Sequence, residues 1–294
     1  MTSSRSRLYV NLGQQRYYVE RPFGSYDTGK SIVSDVACDS RNHIFVLVRA
    51  DPLVDKPRNP VIELDRDGMF VQEFGASFVD DAHMLAIDAN DQIYVVDRDA
   101  HQIVIFSPSG EKISEIGTRH RPGEPFSHPS AIAFGPDGRA YVADGYGANL
   151  VHRFSAHGIH EITFGERGRG PGEFSTPHGI WVLDDRRVIV ADRENDRVQV
   201  FTEDGEWLQS WEGFPHAMDI WSDEEGNIYV VDKVPRLTRL DKAGKVTGCC
   251  RPVLSGAHGI YGGSDGRIFL AETQPSRLTV LVPEKGDGRI FKLE

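Results

Sequence analysis

The sequence of 294 residues has little cysteine and no long apolar run. Its three cysteines, Cys38, Cys249 and Cys250, do not form a disulfide framework and are typical of a reducing compartment. No run of about eighteen apolar residues occurs, so the sequence predicts no membrane-spanning helix. The opening MTSSRSRLYV lacks the apolar core of a signal peptide. We therefore expect a cytoplasmic protein.

An excess of positive charge and helical periodicity are also absent. The chain has 33 Lys and Arg residues against 44 Asp and Glu residues, and its net charge is −11. This balance argues against binding to nucleic acid or to an anionic membrane. A small-molecule substrate is therefore the expected partner, while the oligomeric state is not predicted. Because apolar residues do not recur at helical spacing, we expect essentially no helix.

What the sequence does contain is six copies of one pattern. In each copy two apolar strands flank a tight turn rich in Asp, Asn and Gly, and two more strands follow. The residues that close the second strands, called anchors below, are Arg49, Asp97, Asp144, Asp192, Asp232 and Glu272. By subtraction, their spacings are 48, 47, 48, 40 and 40 residues. Four strands in each repeat of about 40–45 residues are typical of propeller blades.

The predicted fold class is therefore all-β, a six-bladed β-propeller that forms a single domain over residues 1–294. A short strand near Tyr17–Glu20 precedes the first repeat. We expect this strand to pair with the last blade and close the ring, which would cover an open sheet edge. A β-sandwich or an open solenoid is the alternative.

Histidine occupies the same position in alternate repeats. The position fourteen residues before each anchor lies on the same face as the anchor, because two antiparallel strands bring the chain back to that face. The residues at this position are Asp35, His83, Ser130, His178, Met218 and His258. The histidines of blades two, four and six would converge on the central channel. Three imidazoles with an open fourth position favour zinc or another divalent transition metal.

The alternative is that histidine simply packs at strand starts, since His128 and His216 stand two residues earlier in the repeat. Asp35, His128, His216 and Met218 share the metal face, and we assign them to substrate binding.

Three further residues depart from the repeat on this face. The acidic anchors are expected to cap the loop that follows them by accepting backbone N–H bonds, so Arg49 must act differently. Tyr146 lies in a loop between glycines and could serve as a base near a metal and an arginine, or only as a lid. Arg193 follows an acidic anchor, and a solvated or ion-paired arginine is its simpler interpretation.

Four segments carry a resemblance to a known family. They are SDVACDSRNHIFVLVR (34–49), DAHMLAIDANDQIYVVDRDAHQIVIF (81–106), HPSAIAFGPDGRAYVADGYGANLVHRFSAHG (128–158) and PGEFSTPHGIWVLDDRRVIVADRENDRVQVF (171–201). The chain resembles NHL-repeat propellers and, within them, the peptidyl-α-hydroxyglycine α-amidating lyases. Blades five and six match mainly at AHGIYGGSDG (257–266).

The resemblance implies roles for individual residues. The residues that match the family's zinc ligands are His83, His178 and His258. Tyr146 matches the catalytic tyrosine, Arg49 an active-site arginine and Arg193 a second one. The positions that give backbone carbonyls to a structural calcium in the family are Val36 and Leu85.

The chain also departs from the family. The family has a calcium-binding aspartate where Gly259 stands, so we expect no tightly held calcium. Gly256 replaces a methionine of the substrate pocket, so the pocket is expected to differ. Gly147 replaces a cysteine of the secreted enzymes, which is consistent with a reducing compartment.

Three functions are consistent with these observations. The first is a zinc-dependent lyase that cleaves the C–N bond of an N-acyl hemiaminal, such as an α-hydroxyglycine-like amide, into an amide and a carbonyl product. The second is a metal-dependent hydrolase of the lactonase type on the same face. The third is a non-catalytic NHL scaffold for a protein partner.

Overall fold

The computed structural model describes residues 7–50 and 58–284. An N-terminal hairpin comes first, with strands β1 (Leu8–Leu12) and β2 (Gln15–Glu20). The strands of blade one are β3 (Ile32–Cys38), β4 (Ile44–Arg49), β5 (Val61–Leu64) and β6 (Phe70–Phe74). Those of blade two are β7 (Ala82–Ile87), β8 (Ile93–Asp97), β9 (Gln102–Phe106) and β10 (Lys112–Ile116). Those of blade three are β11 (Ala131–Phe134), β12 (Ala140–Asp144), β13 (Leu150–Phe154) and β14 (His160–Phe164).

A short parallel pair, β15 (Glu166–Arg167) and β16 (Glu173–Phe174), leads into the second half. The strands of blade four are β17 (Pro177–Val182), β18 (Val188–Asp192), β19 (Arg197–Phe201) and β20 (Trp207–Glu212). Those of blade five are β21 (Ala217–Ser222), β22 (Ile228–Asp232), β23 (Arg236–Leu240) and β24 (Val246–Cys250). Blade six contains β25 (Ala257–Gly262), β26 (Ile268–Thr273) and β27 (Ser276–Pro283). The predicted six-bladed, all-β propeller is confirmed.

The sixth sheet draws strands from both ends of the chain. Its order is β1-β2-β27-β26-β25, so the N-terminal hairpin lies beside the last strand of blade six. Strand β2 pairs antiparallel with β27, and Val19 lies opposite Leu281. Leu12, Tyr17 and Val19 are buried in the same apolar cluster as Leu281. The N-terminal hairpin thus supplies the fourth strand of the last blade, β2, and a fifth strand, β1, at its edge.

Burial explains why the second strands are apolar on both faces. Strands β8, β12, β18 and β22 are almost wholly buried, because each blade is covered on both faces by its neighbours. The outermost strand β10, by contrast, is largely exposed. The described residues form five apolar clusters within and between the blades. This packing fixes the positions of the innermost strands around the channel.

The acidic anchors bond a different loop from the one expected. Asp144 accepts the N–H of Ser127 at 2.6 Å, and Asp192 accepts the N–H of Ser175 at 2.7 Å. Both donors lie in the loop that precedes the first strand of the blade, so the prediction that anchors cap the backbone of the following loop was wrong. The carboxylate reaches across the sheet because the first and second strands run side by side.

Helix is confined to one short turn among the described residues, a 3₁₀ helix at Arg193–Asn195. Within those same residues, no helix is long and apolar enough to cross a membrane.

Candidate metal centre and active site

The three histidines of alternate blades meet at the channel axis. His83, His178 and His258 are the second residues of the innermost strands of blades two, four and six, and their candidate ligand atoms lie within 4.8 Å of one another. Their ring centroids are 4.9 to 5.1 Å apart. His83 and His178 are fully buried, and His258 is 8% exposed. The repeat therefore brings together the three residues that the sequence singled out.

Each histidine is oriented by the blade that follows it. The Nδ1 atom of His83 lies 2.7 Å from the carbonyl of Ser130, and that of His178 lies 2.7 Å from the carbonyl of Met218. The Nδ1 atom of His258 is 2.8 Å from the carbonyl of Ser34. A carbonyl can only accept, so each Nδ1 carries the proton and each Nε2 presents a lone pair. The ring orientations follow from these three bonds.

Burial keeps the three imidazoles neutral. It is the main cause that lowers the pKa of His83 and His178 well below the usual value, and it lowers the pKa of His258 to about 3. The neighbouring histidines lower the pKa values of His83 and His178 further, since like charges would repel. Three buried lone pairs on neutral imidazoles that face one another fit a divalent metal with nitrogen ligands.

The position equivalent to these histidines in blade one is Ser34, so the assignment of Asp35 was wrong by one residue. Val33 pairs with Val48 as Ala82 pairs with Asp97. Strand β4 continues for one residue beyond the anchor position, so counting fourteen residues back from Arg49 ends at Asp35 instead of Ser34. Val48 holds the anchor position, and Asp35 lies one step further along the channel.

Tyr146 covers the histidine centre. Its hydroxyl lies 3.0 Å from Nε2 of His83 and 3.1 Å from Nε2 of His178. Nη1 of Arg193 donates to the same hydroxyl at 3.0 Å. The side chain is 36% exposed, so it stands between the buried nitrogens and the solvent. The tyrosine that broke the repeat is thus in direct contact with the candidate metal ligands.

Glycines on both sides of Tyr146 explain how it reaches this position. A Cβ atom on Gly145 would lie 1.9 Å from the carbonyl oxygen of Pro177. A Cβ atom on Gly147 would lie 2.1 Å from the carbonyl oxygen of Ser127. The loop therefore packs against two backbone segments with no room for a side chain, which places the Tyr146 hydroxyl over the histidines.

Basic residues surround the tyrosine at the channel mouth. Cζ of Arg98 lies 5.0 Å from the centre of the Tyr146 ring. Arg49 forms a bidentate ion pair with Asp81, and Nε of Arg98 lies 2.9 Å from the same carboxylate. Within the described residues no hydrogen bond joins Arg49 to Tyr146, so Arg193 takes the contact with the tyrosine hydroxyl. Arg49 still contributes electrostatically to the lowered pKa of His83.

Two basic residues at this mouth, Arg98 and Lys233, were not predicted from the sequence. The residues after the anchor position in the six blades are Arg49, Arg98, Gly145, Arg193, Lys233 and Thr273. Four of the six are basic, and this shared position was a signal that could have found Arg98 and Lys233. Lys233 and Arg193 both contribute to the lowered pKa of His258. Four basic side chains therefore gather at the mouth, and Asp81, Asp99 and Glu194 form ion pairs with three of them.

The other residues that were assigned to substrate binding are His128, His216 and Met218. His128 stacks edge-on against His101 with ring centres 4.2 Å apart, and its carbonyl accepts the N–H of Tyr146 at 3.2 Å. Nε2 of His216 lies 3.2 Å from Glu194. Met218 is buried in the core, and its contribution to the site is the carbonyl that orients His178.

Deeper in the channel is a cavity of about 100 Å³ formed by the innermost strands. Its lining includes Val36 and Leu85, whose carbonyls the resemblance assigns to calcium, and the carboxylates of Asp35 and Asp219. A larger cavity of about 1170 Å³ opens at the opposite, hairpin-turn face. Because its lining contains none of the three histidines, we place the chemistry at the mouth instead.

Comparison with known proteins identifies related chains. Residues 174–201 match the NHL repeat. The chain is 26% identical to a probable peptidyl-α-hydroxyglycine α-amidating lyase of Caenorhabditis elegans, over 87% of this chain and 84% of that protein. It is 28% identical to the peptidylglycine α-amidating monooxygenase of Rattus norvegicus over 58% of this chain, but that match spans only 21% of the rat protein.

A gluconolactonase from Xanthomonas campestris shares the fold, with a TM-score of 0.69 and 14% identity over 95% of each chain. At that identity the likeness concerns architecture alone. The relatives named as amidating lyases support a lyase-like role for this chain. The protein is a six-bladed propeller that matches the NHL repeat over residues 174–201 and resembles the peptidyl-α-hydroxyglycine α-amidating lyases.

Proposed function

We propose that the protein is a zinc-dependent lyase that cleaves the C–N bond of an N-acyl hemiaminal and releases an amide and a carbonyl compound. The observation that carries this proposal is the Tyr146 hydroxyl, which lies 3.0 and 3.1 Å from the Nε2 atoms of His83 and His178. A general base beside a metal ligand set is the arrangement that removal of a hydroxyl proton requires.

His83, His178 and His258 would hold the metal through Nε2, because each Nδ1 is committed to a carbonyl. Bound zinc supplies Lewis acidity that lowers the pKa of a hydroxyl group next to it. The carbonyl bonds fix the imidazole rings before substrate arrives, so little reorganisation accompanies binding.

Tyr146 transfers the proton from the hemiaminal hydroxyl to the leaving amide. As tyrosinate it takes the proton of the hemiaminal hydroxyl, the carbon–oxygen bond becomes a carbonyl, and the carbon–nitrogen bond breaks. The proton then passes from Tyr146 to the leaving amide nitrogen, so the tyrosinate is regenerated. Arg193 favours the tyrosinate because its guanidinium donates to the hydroxyl oxygen at 3.0 Å.

The charge at the mouth suits an anionic substrate. Arg98 and Lys233 extend the positive surface begun by Arg193, and an α-hydroxyglycine-type amide carries a carboxylate next to the hemiaminal carbon. Arg49 is positioned by Asp81 and contributes to the same field. We expect this field to orient the substrate carboxylate at the mouth.

The test is incubation of zinc-loaded protein with N-benzoyl-α-hydroxyglycine and measurement of glyoxylate and benzamide in equal amounts. A set of small lactones is offered in parallel, because the shared fold with a gluconolactonase makes ring opening the competing activity. Release of glyoxylate supports the lyase. Lactone opening without any hemiaminal cleavage would overturn it, and inertness towards both classes would favour a scaffold.

A further inference from the structure

The cavity of about 1170 Å³ at the hairpin-turn face is lined by aromatic side chains from three consecutive blades. Trp181, Trp221 and Tyr261 occupy one shared position of the repeat, because each pairs with the second residue of the neighbouring strand. In blades one, two and three the same position holds alanine, namely Ala37, Ala86 and Ala133. The three rings therefore lie along one half of the channel, and the small alanines leave room beside them.

These three rings are inclined to one another. The ring centres of Trp181 and Tyr261 are 6.0 Å apart with 68° between their planes, and those of Trp221 and Tyr261 are 6.3 Å apart with 43°. The indole N–H of Trp181 donates to Oγ of Ser222 at 2.9 Å, which orients that ring. Gly262 makes room for Trp221, since a Cβ atom on Gly262 would lie 2.1 Å from the indole. The inner end of the cavity thus has aromatic walls that face in different directions.

The rim of this cavity is acidic. Six carboxylates and one basic side chain line the cavity, and they are Asp39, Asp88, Asp91, Asp223, Glu224 and Glu225 against Arg239. Among the described residues, Asp39 is the only one of the six that forms an ion pair, and its partner is Arg41. Five carboxylates therefore leave the negative charge of the cavity without a neighbouring counter-charge.

The negative charge of the rim acts on the tyrosines of the cavity. Burial raises the pKa of Tyr229, and the charge of Asp223, which accepts the hydroxyl proton of Tyr229 at 2.9 Å, raises it further. Burial also raises the pKa of Tyr261, and the charge of Asp91 adds to that shift. A field that disfavours further negative charge favours a positively charged ligand at the same place.

We propose that this cavity binds a small organic cation of the alkylammonium type, with its charged head against Trp181, Trp221 and Tyr261. The faces of aromatic rings attract such cations, and sets of aromatic rings recognise quaternary ammonium groups. The carboxylates of the rim add attraction at longer range. The volume suits an organic ligand rather than a single ion. This proposal goes beyond the lyase activity and does not depend on it, because the cavity shares no side chain with the histidine centre.

The proposal is tested with choline and with its uncharged isostere dimethylbutanol, in which carbon replaces the nitrogen. Binding to the full-length protein is measured by isothermal titration calorimetry and by tryptophan fluorescence. We expect saturable choline binding with a Kd of about 1 mM or tighter, and binding of the isostere that is weaker by about tenfold or more. Added salt should weaken choline binding, because the rim carboxylates are screened. Zinc-loaded and metal-free protein should bind choline equally, so failure of the lyase proposal would not affect this one.

Variants separate the contribution of the rings from that of the rim. Trp181→Ala should weaken choline binding roughly tenfold. The double variant Glu224→Gln with Glu225→Gln changes two exposed turn side chains and should weaken binding by about two- to fivefold. Trp207→Ala is the matched control, since Trp207 is 40% exposed on β20 and does not line the cavity, and its affinity should equal that of the wild type.

Three results would overturn the proposal. They are the absence of saturable choline binding at millimolar concentrations, equal affinity for choline and its isostere, and unchanged affinity in Trp181→Ala. Each of them would assign the three rings to packing of the channel alone. If Trp181→Ala fails to fold, the comparison of choline with its isostere and the Glu224→Gln, Glu225→Gln variant decide the question.

Discussion

Replacing Tyr146 by phenylalanine removes one oxygen atom from the centre of the site. That oxygen contacts Nε2 of His83, Nε2 of His178 and Nη1 of Arg193 at 3.0 to 3.1 Å. The aromatic ring stays, and with it the contact with Arg98 5.0 Å from the ring centre. The perturbation therefore separates the chemistry of the hydroxyl from the packing of the side chain.

The expected magnitude follows from these contacts. Loss of a general base typically costs about 10²–10⁴-fold in rate, which corresponds to roughly 3–5 kcal/mol in activation free energy. We expect this loss in kcat and little change in KM, since the ring and the basic residues of the mouth remain. Stability should change by less than about 1 kcal/mol, because the side chain is 36% exposed.

The assay is glyoxylate release from N-benzoyl-α-hydroxyglycine by zinc-loaded protein, with zinc content measured on the same samples. Tyr18→Phe is the matched control, since Tyr18 lies on β2 of the N-terminal hairpin and outside the site. Zinc content should be equal in the wild type and both variants. Undiminished turnover in Tyr146→Phe with full zinc would refute the assignment of Tyr146 as the general base. It would not contradict the assignment of the metal ligands.

Three further outcomes are expected. His178→Ala should remove the zinc that wild-type protein retains after dialysis, and elemental analysis showing unchanged zinc would contradict the ligand assignment. Gly145→Ala should lower activity and destabilise the protein by about 1–3 kcal/mol in urea unfolding, because its Cβ would meet the carbonyl of Pro177 at 1.9 Å. The metal-free protein should lose stability as the pH falls below about 6.5, since the pKa of His258 is lowered to about 3 and the unfolded chain binds more protons in that window. The effect is up to about 1.4 kcal/mol per pH unit for each buried histidine, and a flat urea-unfolding profile between pH 6.5 and 4 would exclude it.

The blade count and the histidine centre could be predicted from sequence because both depend on local chemistry. Tight turns need Asx and Gly residues, and buried second strands need apolar ones. Each blade can therefore be recognised from its own stretch of sequence. Once the blades are counted, His83, His178 and His258 fall on the same face. The tyrosine could also be found, since Gly145-Tyr146-Gly147 breaks the repeat after its anchor.

What the sequence could not supply depends on contacts between blades. Asp35 was matched to the histidines because β4 runs one residue past the anchor position, and only the strand pairing reveals that. The acidic anchors bond N–H groups about one hairpin earlier, so their partners are distant in sequence. The approach of Asp35 to Gly259 joins the first blade to the last, so it cannot be predicted from the sequence of any single repeat.

A symmetric ring becomes an asymmetric site through a substitution at the position after the anchor. The position after the anchor carries a basic residue in four blades, but blade three has Gly145 there, and only this glycine lets the loop approach Pro177. The loop can therefore lay Tyr146 across the axis, where it meets two of the three histidines rather than all three. His258 has no hydrogen bond to the tyrosine among the described residues and is more exposed than His83. We infer that substrate approaches the centre from the His258 side, with Tyr146 on the opposite flank ready to accept a proton.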